Sequence, residues 1–277
     1  MRIAITGSKG QLGTALQQRL VGEALLPLDL PEWNVADAAQ VSSALEAFAP
    51  EVVIHTAALT NVDQCEVEPD AAYRVNALGT QNVALACQRL GAAMVYISTD
   101  YVFDGTKDAP YLEYDPPSPL SVYARSKVAG EWYTQALLSR FYIVRPAWLY
   151  ARGGHGFLQT VLRLARERGS LSMVTDEVGS PTYAPDLADA IARLIPSRMY
   201  GIYHFTNSGV CSRYEWACAI LRLSGLDHIP VTPSQGYVRK ARVPRRVELR
   251  NFCGATQLGI VLRPWQEALV DCLREPQ

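Results

Sequence analysis

The segment Ile3-Ala-Ile-Thr-Gly-Ser-Lys-Gly-Gln-Leu-Gly13 joins a short apolar run to three glycines spaced three residues apart. The apolar run predicts a buried strand, and the residues after the glycines predict a helix. Glycine lets the chain turn sharply and lets backbone N–H groups approach a pyrophosphate, and the helix N-terminus adds the positive end of its dipole. Because the glycines directly follow a strand, the segment predicts a dinucleotide-binding turn.

Apolar runs and helical patterns alternate through the rest of the first half. Short apolar strands separated by helices are typical of a parallel sheet covered on both faces. Because crossovers in such a sheet are right-handed, we expect a doubly wound, Rossmann-like α/β fold. The predicted strands are Arg2–Thr6, Ala24–Leu28, Val52–Thr56, Met94–Ser98 and Tyr142–Arg145, and the predicted helices are Gly10–Leu20, Ala38–Phe48, Pro69–Leu90 and Tyr123–Leu138.

The pattern loosens after Tyr150, where Pro and Gly become frequent. We expect a dinucleotide-binding domain over residues 1–150 and a smaller, interleaved substrate lobe over residues 151–277, parts of which complete the sheet. The predicted helices here are Phe157–Arg168, Asp186–Ile195, Arg213–Leu223 and Trp265–Arg274, and the predicted strands are Leu171–Val174 and Ile202–Phe205.

Composition argues against nucleic acid, membranes and metal ions as partners. The chain has 277 residues, 49% of them hydrophobic, and a formal net charge of −1, which argues against nucleic-acid binding. No leader segment and no run of about 18 apolar residues is visible, so we expect no membrane partner and a cytoplasmic protein. The six cysteines and four histidines show no Cys-x-x-Cys pair and no metal-ligand spacing, which predicts reduced thiols and no metal site.

The residues after the next two strands fit a dinucleotide. Asp29 ends the second strand, where a carboxylate accepts hydrogen bonds from the adenosine ribose and favours NAD. Lys9 in the glycine turn is placed to meet a 2′-phosphate, which favours NADP, so the sequence leaves NADPH or NADH open. Asn34 and Val35 lie where an adenine rests, and the small side chains of Ala57-Ala-Leu59 let the backbone come close to the cofactor.

Tyr123 and Lys127 form the predicted catalytic pair. They are four residues apart on a helix and therefore share one face. A free phenol has a pKa of about 10, and a nearby ammonium lowers it, so that the tyrosine can act as a general acid. Thr99 ends the fourth strand, where its hydroxyl can hold the substrate carbonyl oxygen. Asp100 either contacts a sugar hydroxyl or caps the following turn, and both readings stay open.

These features resemble the extended short-chain dehydrogenase/reductases, and longer motifs resemble the dTDP-4-dehydrorhamnose reductase family over nearly the whole chain. The motifs are Gly10-Gln-Leu-Gly13, His55-Thr-Ala-Ala-Leu-Thr-Asn-Val-Asp63, Ser98-Thr-Asp-Tyr-Val-Phe-Asp-Gly105, Arg145-Pro-Ala-Trp-Leu-Tyr150 and Gly179-Ser-Pro-Thr-Tyr-Ala-Pro-Asp-Leu-Ala188.

The resemblance implies a role for each matching residue. Thr99 and Asp100 face the sugar, Tyr123 donates the proton, Lys127 holds the nicotinamide ribose, and Trp148 packs on the substrate. The residues expected to line the cofactor are Gly7, Gly10, Gln11, Leu12, Gly13, Asp29, Asn34, Val35, Ala57, Ala58, Leu59, Tyr123 and Lys127.

Two departures from the family pattern concern the helix and a late segment. Ala124 stands where the family usually has glycine, and alanine suits a helix better. In Ala241–Leu249, Val243 replaces an arginine and Val247 a serine, which weakens the expectation of substrate identity. The arginines of this segment that remain as candidates to reach the same diphosphate are Arg242, Arg245 and Arg246.

The resemblance implies reduction of the C4 ketone of a dTDP-linked 6-deoxy-4-keto sugar, by a monomer or homodimer. The nearest alternatives are a sugar-nucleotide epimerase or dehydratase of the same superfamily. A dehydratase needs a second carboxylic acid after the strand-four threonine, whereas this chain has Tyr101 after Asp100. A further alternative is a non-catalytic regulatory subunit, like the one known for methionine adenosyltransferase, and the intact Thr99, Tyr123 and Lys127 argue against it.

Overall fold

A computed structural model describes residues 1–236 and 238–274. Its strands are β1 (Arg2–Thr6), β2 (Ala24–Leu28), β3 (Val52–His55), β4 (Ala93–Ile97), β5 (Phe141–Arg145), β6 (Leu149–Tyr150), β7 (Leu171–Val174), β8 (Val178–Gly179), β9 (Thr182–Tyr183), β10 (Gly201–His204), β11 (Cys211–Ser212) and β12 (Val231–Ser234). Of the lobe predicted over residues 151–277, residues 237 and 275–277 lie outside the described residues.

The α-helices are α1 (Gln11–Arg19), α2 (Ala38–Phe48), α3 (Val62–Val67), α4 (Pro69–Tyr73), α5 (Thr80–Leu90), α6 (Val122–Leu137), α7 (Phe157–Arg168), α8 (Ala184–Leu194), α9 (Arg213–Leu223), α10 (Cys253–Leu258) and α11 (Trp265–Arg274). A π-helical segment, Arg74–Gly79, joins α4 to α5, and short 3₁₀ turns cover Asp100–Val102 and Ile195–Ser197. Within the described residues, no helix is both long and apolar enough to cross a membrane.

The described residues place six strands in one parallel sheet, in the order β10-β5-β4-β3-β1-β2. The reversal of strand order between β1 and β3 makes the sheet doubly wound, and the predicted fold class is confirmed. Strand β10 comes from the second half of the chain and pairs with β5 at the sheet edge. The edge strand of the sheet is thus supplied by a segment far along the chain.

Alternate residues of each strand pack into different cores, because successive strand side chains point to opposite faces. Ile3 and Ile5 pack with Leu187 of α8 on one face, whereas Ala4 and Val53 pack with α2 and α5 on the other. Burial on both faces explains why the strands are continuous apolar runs.

A separate apolar cluster lies in the second half of the chain. Helices α7, α9 and α11 contribute Leu158, Trp216 and Leu269, which pack with Tyr150 and Tyr183 of β6 and β9. Partly buried Trp148 packs against this cluster. The cluster therefore adjoins the sheet where the strands end.

Two helical features differ from the sequence prediction. Helix α3 was not predicted, because its six residues are too few to show a period; it begins after Asn61, whose side chain accepts a hydrogen bond from Gln64 N at 3.0 Å. The helix predicted at Pro69–Leu90 is interrupted by the π-helical segment Arg74–Gly79. Such segments are frequent at functional sites.

Candidate active site

A cleft of about 670 Å³ runs along the carboxyl ends of the strands. Residues after β1, β2, β3, β4 and β5 line it, as expected for ligand sites in open α/β sheets. The predicted site residues in its lining are Gly7, Gly10, Gln11, Leu12, Asp29, Asn34, Val35, Ala57, Ala58, Thr99, Asp100, Tyr123, Lys127 and Trp148. Gly13 and Leu59 lie outside that lining and act through packing and backbone contacts described below.

The glycine turn is shaped by close backbone approach. Gly7 has φ +67°, and a Cβ there would lie 2.7 Å from Ala57 N. A Cβ at Gly13 would lie 2.2 Å from the Gly7 carbonyl oxygen, so Gly13 allows α1 to start tightly against the turn. Helix α1 begins after Gly10 without a side-chain cap. Its first N–H groups therefore remain available to an anion, and the turn fits a dinucleotide pyrophosphate.

Asp29 lines the cleft beside the glycine turn. Its carboxylate accepts hydrogen bonds from Lys9 N at 2.7 Å and Leu30 N at 2.8 Å, which fixes the glycine turn against β2. The Lys9 ammonium donates to Leu30 O and to Glu32, at 2.7 and 2.8 Å. The residues proposed to favour NAD and NADP thus lie side by side.

The turn after β3 is held by a buried asparagine that sequence reasoning did not single out. Asn76 lies in the π-helical segment; its Oδ1 accepts from Leu59 N at 2.8 Å, and its Nδ2 donates to Leu59 O at 3.1 Å. The same Nδ2 donates to Ser126 on α6 at 3.0 Å. Asn76 therefore links the wall of the cofactor cleft to the helix that carries Tyr123 and Lys127.

Thr99 and Asp100 begin the turn after β4. Thr99 Oγ1 accepts from Tyr101 N at 3.2 Å and donates to Asp100 Oδ1 at 3.0 Å. Thr99 therefore caps the turn, and Asp100 lines the cleft. Burial raises the pKa of Asp100 to about 7, although the Thr99 hydroxyl and the Arg213 charge oppose that rise.

Tyr123 and Lys127 both line the cleft from α6, which starts at the Ser121 cap. Burial raises the pKa of Tyr123 above its ordinary value, and hydrogen bonding with Thr99 only partly offsets this. The expectation of a lowered phenol pKa is therefore wrong for this form, because desolvation raises the pKa and the nearby Asp100 and Tyr101 raise it further. A raised pKa keeps the phenol protonated at neutral pH, which is the form a general acid needs.

The Lys127 ammonium is held against β4 at the cleft lining. It donates to Ile97 O at 2.7 Å and lies 4.2 Å from the centre of the Tyr96 ring. Burial lowers its pKa to about 7, while the negative charge of Glu131 opposes that fall. Lys127 is thus poised between its charged and neutral forms near neutral pH.

Glu131, one helical turn after Lys127, belongs to a buried network that the sequence did not reveal. Its carboxylate binds Arg145 of β5 through two hydrogen bonds of 2.7 and 2.9 Å, and Ser98 donates to it at 2.6 Å. Ser98 precedes Thr99, so the network anchors the strand end that carries the Thr99 hydroxyl. It also ties α6 to the centre of the sheet.

Trp148 follows β5 and has φ +44°, a region that non-glycine residues seldom occupy. Such strain concentrates at functional sites. The guanidinium of Arg213 lies 3.6 Å from the centre of its ring, and a Cβ at Gly179 would lie 2.7 Å from the ring. Trp148 therefore enters the cleft together with Arg213, a residue that sequence reasoning missed because only tertiary packing brings it there.

The late segment with the family departures lies away from the cleft lining. Val247 is buried beside Val102 and Phe103, so its apolar side chain belongs to this packing cluster. The three arginines considered for the diphosphate have exposed side chains and are not part of the cleft lining; they are Arg242, Arg245 and Arg246.

The histidines and cysteines do not form a second site within the described residues. His55 bridges Thr6 and Thr80, at 2.6 and 3.1 Å, and burial lowers its pKa to about 3, as suits a structural histidine. None of the six cysteines forms a disulfide within the described residues, and these residues hold no group of three or more His, Cys, Asp or Glu arranged for a metal.

Comparison with known proteins gives consistent matches. A family model described as the RmlD substrate binding domain matches residues 1–277. The chain is 40% identical to the spore coat polysaccharide biosynthesis protein SpsK of Bacillus subtilis (strain 168), over 99% of this chain and 97% of that protein. It is 37% identical to dTDP-4-dehydrorhamnose reductase of Aggregatibacter actinomycetemcomitans, over 97% of each.

Among solved structures, dTDP-4-dehydrorhamnose reductase from Bacillus anthracis str. Ames, in complex with NADP, superposes with a TM-score of 0.96 at 38% identity, over 99% of both chains. The resemblance inferred from the sequence motifs is therefore confirmed. The chain belongs to the dTDP-4-dehydrorhamnose reductase family.

Proposed function

We propose that this protein reduces the C4 ketone of dTDP-4-dehydro-L-rhamnose, or a closely similar dTDP-linked 4-keto sugar, with NADPH or NADH. The observation that carries the proposal is the meeting of Thr99, Tyr123 and Lys127 in one cleft that continues to the glycine turn. A substrate carbonyl held by the Thr99 hydroxyl would therefore share one cleft with the dinucleotide. Family membership supports the choice of substrate.

When bound, the reduced nicotinamide supplies the hydride. Tyr123 gives the proton to the carbonyl oxygen, since burial keeps the phenol protonated before the reaction. Lys127, reached from the same helix face, stabilises the resulting phenolate by its charge. Thr99 and Asp100 hydrogen-bond the developing alkoxide or the neighbouring sugar hydroxyls, because both line the cleft beside Tyr123.

The cofactor is held by the parts of the first half that surround the glycine turn. The residues that would hold it are the cofactor-lining residues predicted from the sequence. Gly13 and Leu59 do not line the cleft, but they position the glycine turn and the turn after β3. The NADP complex of the Bacillus anthracis relative supports NADPH, and the carboxylate of Asp29 supports NADH. Lys9 must leave Glu32 to reach a 2′-phosphate.

The two parts of the chain have different roles in this proposal. Residues 1–150 bind the dinucleotide, and residues 151–277 form mainly the substrate lobe, built on the cluster around Trp216. Helix α8 and strand β10 return from that half to complete the sheet. The near-zero net charge supports a small-molecule partner rather than nucleic acid, with the protein acting in the cytoplasm as a monomer or homodimer.

The stoichiometry of the reaction tests the proposal. With dTDP-4-dehydro-L-rhamnose, oxidised cofactor and reduced sugar should form one to one, as followed by nicotinamide absorbance and chromatography. A dehydratase or epimerase recycles its cofactor, so conversion of the sugar nucleotide without net cofactor oxidation would overturn the proposal. Protein that binds NADPH and dTDP but converts none of a panel of 4-keto sugar nucleotides would instead favour the non-catalytic alternative.

A further inference from the structure

Arg213 is held rigidly at the substrate end of the cleft. It is the first residue of α9, whose start is fixed by a reciprocal capping box between Ser212 and Glu215. Its guanidinium lies 3.6 Å from the centre of the Trp148 ring and 4.9 Å from that of Phe157. Stacking fixes the guanidinium plane and leaves its edge, which carries the N–H donors, free to meet a ligand.

The donors of Arg213 are poorly matched within the protein. Among the hydrogen bonds of residues 1–236 and 238–274, none is donated by its guanidinium, although that group has five N–H donors. The nearest carboxylate oxygen, on Glu177, lies 3.6 Å away, beyond good hydrogen-bond distance. Glu177 is already bound by Arg239 at 2.6 Å. A cation with 15% of its side chain exposed is thus only partly compensated.

The other cations of the cleft have different positions and partners. Lys9 lies at the adenosine end and is paired with Glu32. Lys127 lines the cleft beside Tyr123 and donates to Ile97 O. In the lining formed by the described residues, Arg213 is therefore the guanidinium that a substrate anion can reach.

Arg213 also lies near the reacting end of the sugar. Burial raises the pKa of Asp100 and of Tyr101, and the charge of Arg213 opposes both shifts. These two residues directly follow Thr99. An anion attached to the sugar that Thr99 holds therefore lies within the electrostatic range of Arg213.

We propose that Arg213, stacked on Trp148, binds the diphosphate of the sugar nucleotide and so sets the specificity of the cleft for phosphorylated substrates. The inference rests on the proposed function, because it takes a sugar nucleotide as the ligand. A guanidinium suits a diphosphate through paired, charge-assisted hydrogen bonds, and the Trp148 stack orders the guanidinium before binding. The sugar then meets the combined surface of Trp148 and Arg213 rather than a bare indole face.

The test compares two ligands, dTDP and thymidine, that differ by the diphosphate group. In Arg213→Met the unbranched side chain still covers Trp148 but carries no charge. We expect its dissociation constant for dTDP to rise about 10- to 100-fold, the scale of hydrogen bonds to a charged group. Its dissociation constants for thymidine and NADPH should stay within about twofold of wild type. In turnover, the KM for the sugar nucleotide should rise much more than kcat falls.

Two control variants sharpen the result. Arg163→Met removes the same charge from an exposed ion pair on α7 and should leave dTDP binding within about twofold of wild type. Arg213→Lys keeps the charge without the planar fork and should show an intermediate loss. Circular dichroism spectra and melting temperatures of all variants establish that each is folded.

Several results would overturn the inference. These are dTDP binding by Arg213→Met at wild-type strength, equal weakening of dTDP and thymidine, and a wild-type protein that does not bind dTDP. The proposed function fails separately, if the wild-type protein binds dTDP but oxidises no cofactor with any 4-keto sugar nucleotide. Calorimetric titration of dTDP and thymidine separates the two failures.

Discussion

The buried pair of Glu131 and Arg145 should make Glu131→Gln strongly destabilising. Both side chains are only 2% exposed, and two hydrogen bonds of 2.7 and 2.9 Å join them. Glutamine keeps the shape but turns an N–H₂ group toward a guanidinium, so Arg145 is left as an unpaired buried charge. Breaking such a pair costs about 3–5 kcal/mol of unfolding free energy. Ser98 loses part of its acceptor as well, since it donates to the same carboxylate at 2.6 Å.

The chain offers a matched control for this prediction. Glu167 pairs with Arg163 at 2.9 Å on the exposed face of α7, with more than half of each side chain in solvent. Glu167→Gln removes the same charge from an ion pair of similar length, yet it should cost less than about 0.5 kcal/mol. Because both variants replace glutamate by glutamine, the difference between their losses of unfolding free energy measures the effect of burial.

Urea denaturation followed by tryptophan fluorescence measures both variants, with the unfolding free energy taken from linear extrapolation. The melting temperature of Glu131→Gln should fall by roughly 5–15 °C. If the two variants unfold at the same urea concentration, the buried pair contributes no more than a surface pair, and the reasoning is refuted. A melting temperature of Glu131→Gln equal to that of the wild-type protein would also refute the reasoning.

Three further predictions concern the cleft. Tyr123→Phe should bind NADPH normally but turn over about a hundredfold more slowly or worse in single-turnover kinetics, and near-native chemistry would exclude Tyr123 as the acid. Asp29→Ala should weaken NADH on the order of tenfold and NADPH less, by fluorescence titration; a larger loss for NADPH contradicts the assignment. Because burial lowers the pKa of Lys127 to about 7, kcat/KM should fall as pH rises through that value, and Asp100→Asn should retain this limb. A flat profile across neutral pH counts against a charged Lys127.

The inner strands of the sheet could be predicted from sequence because they are buried on both faces. The strands Arg2–Thr6, buried from Ile3 onward, and Val52–His55, buried throughout, begin at the residues where the sequence predicts them to begin. The π-helical segment Arg74–Gly79 could not be predicted in this way. It adjoins the turn that Asn76 fixes through Leu59, a tertiary contact that leaves no trace in local periodicity.

The cleft could be predicted in outline for a similar reason. Thr99 follows β4, and the carboxyl ends of adjacent parallel strands meet at one edge, so motifs at strand ends converge. The direction of the Tyr123 pKa shift could not be inferred from the Tyr/Lys spacing, because burial, which depends on tertiary packing, is the largest cause of that shift. The contact of Arg213 with Trp148 could not be predicted from the sequence either, since these residues meet only when the second half of the chain packs onto the first.

Among the described residues, buried charged groups in the sheet core are paired with each other, whereas those that line the cleft are paired distantly or not at all. Glu131 and Arg145 form an ion pair with each other inside the protein, so each buried charge is compensated. Within the described residues, by contrast, Lys127 has no ion-pair partner, Asp100 lines the cleft with a raised pKa, and Arg213 has only a distant carboxylate. An uncompensated buried charge costs free energy, which the rest of the fold must offset. All three lie on the wall of one cleft, where a ligand of matching charge and hydrogen-bonding pattern can recover that free energy on binding.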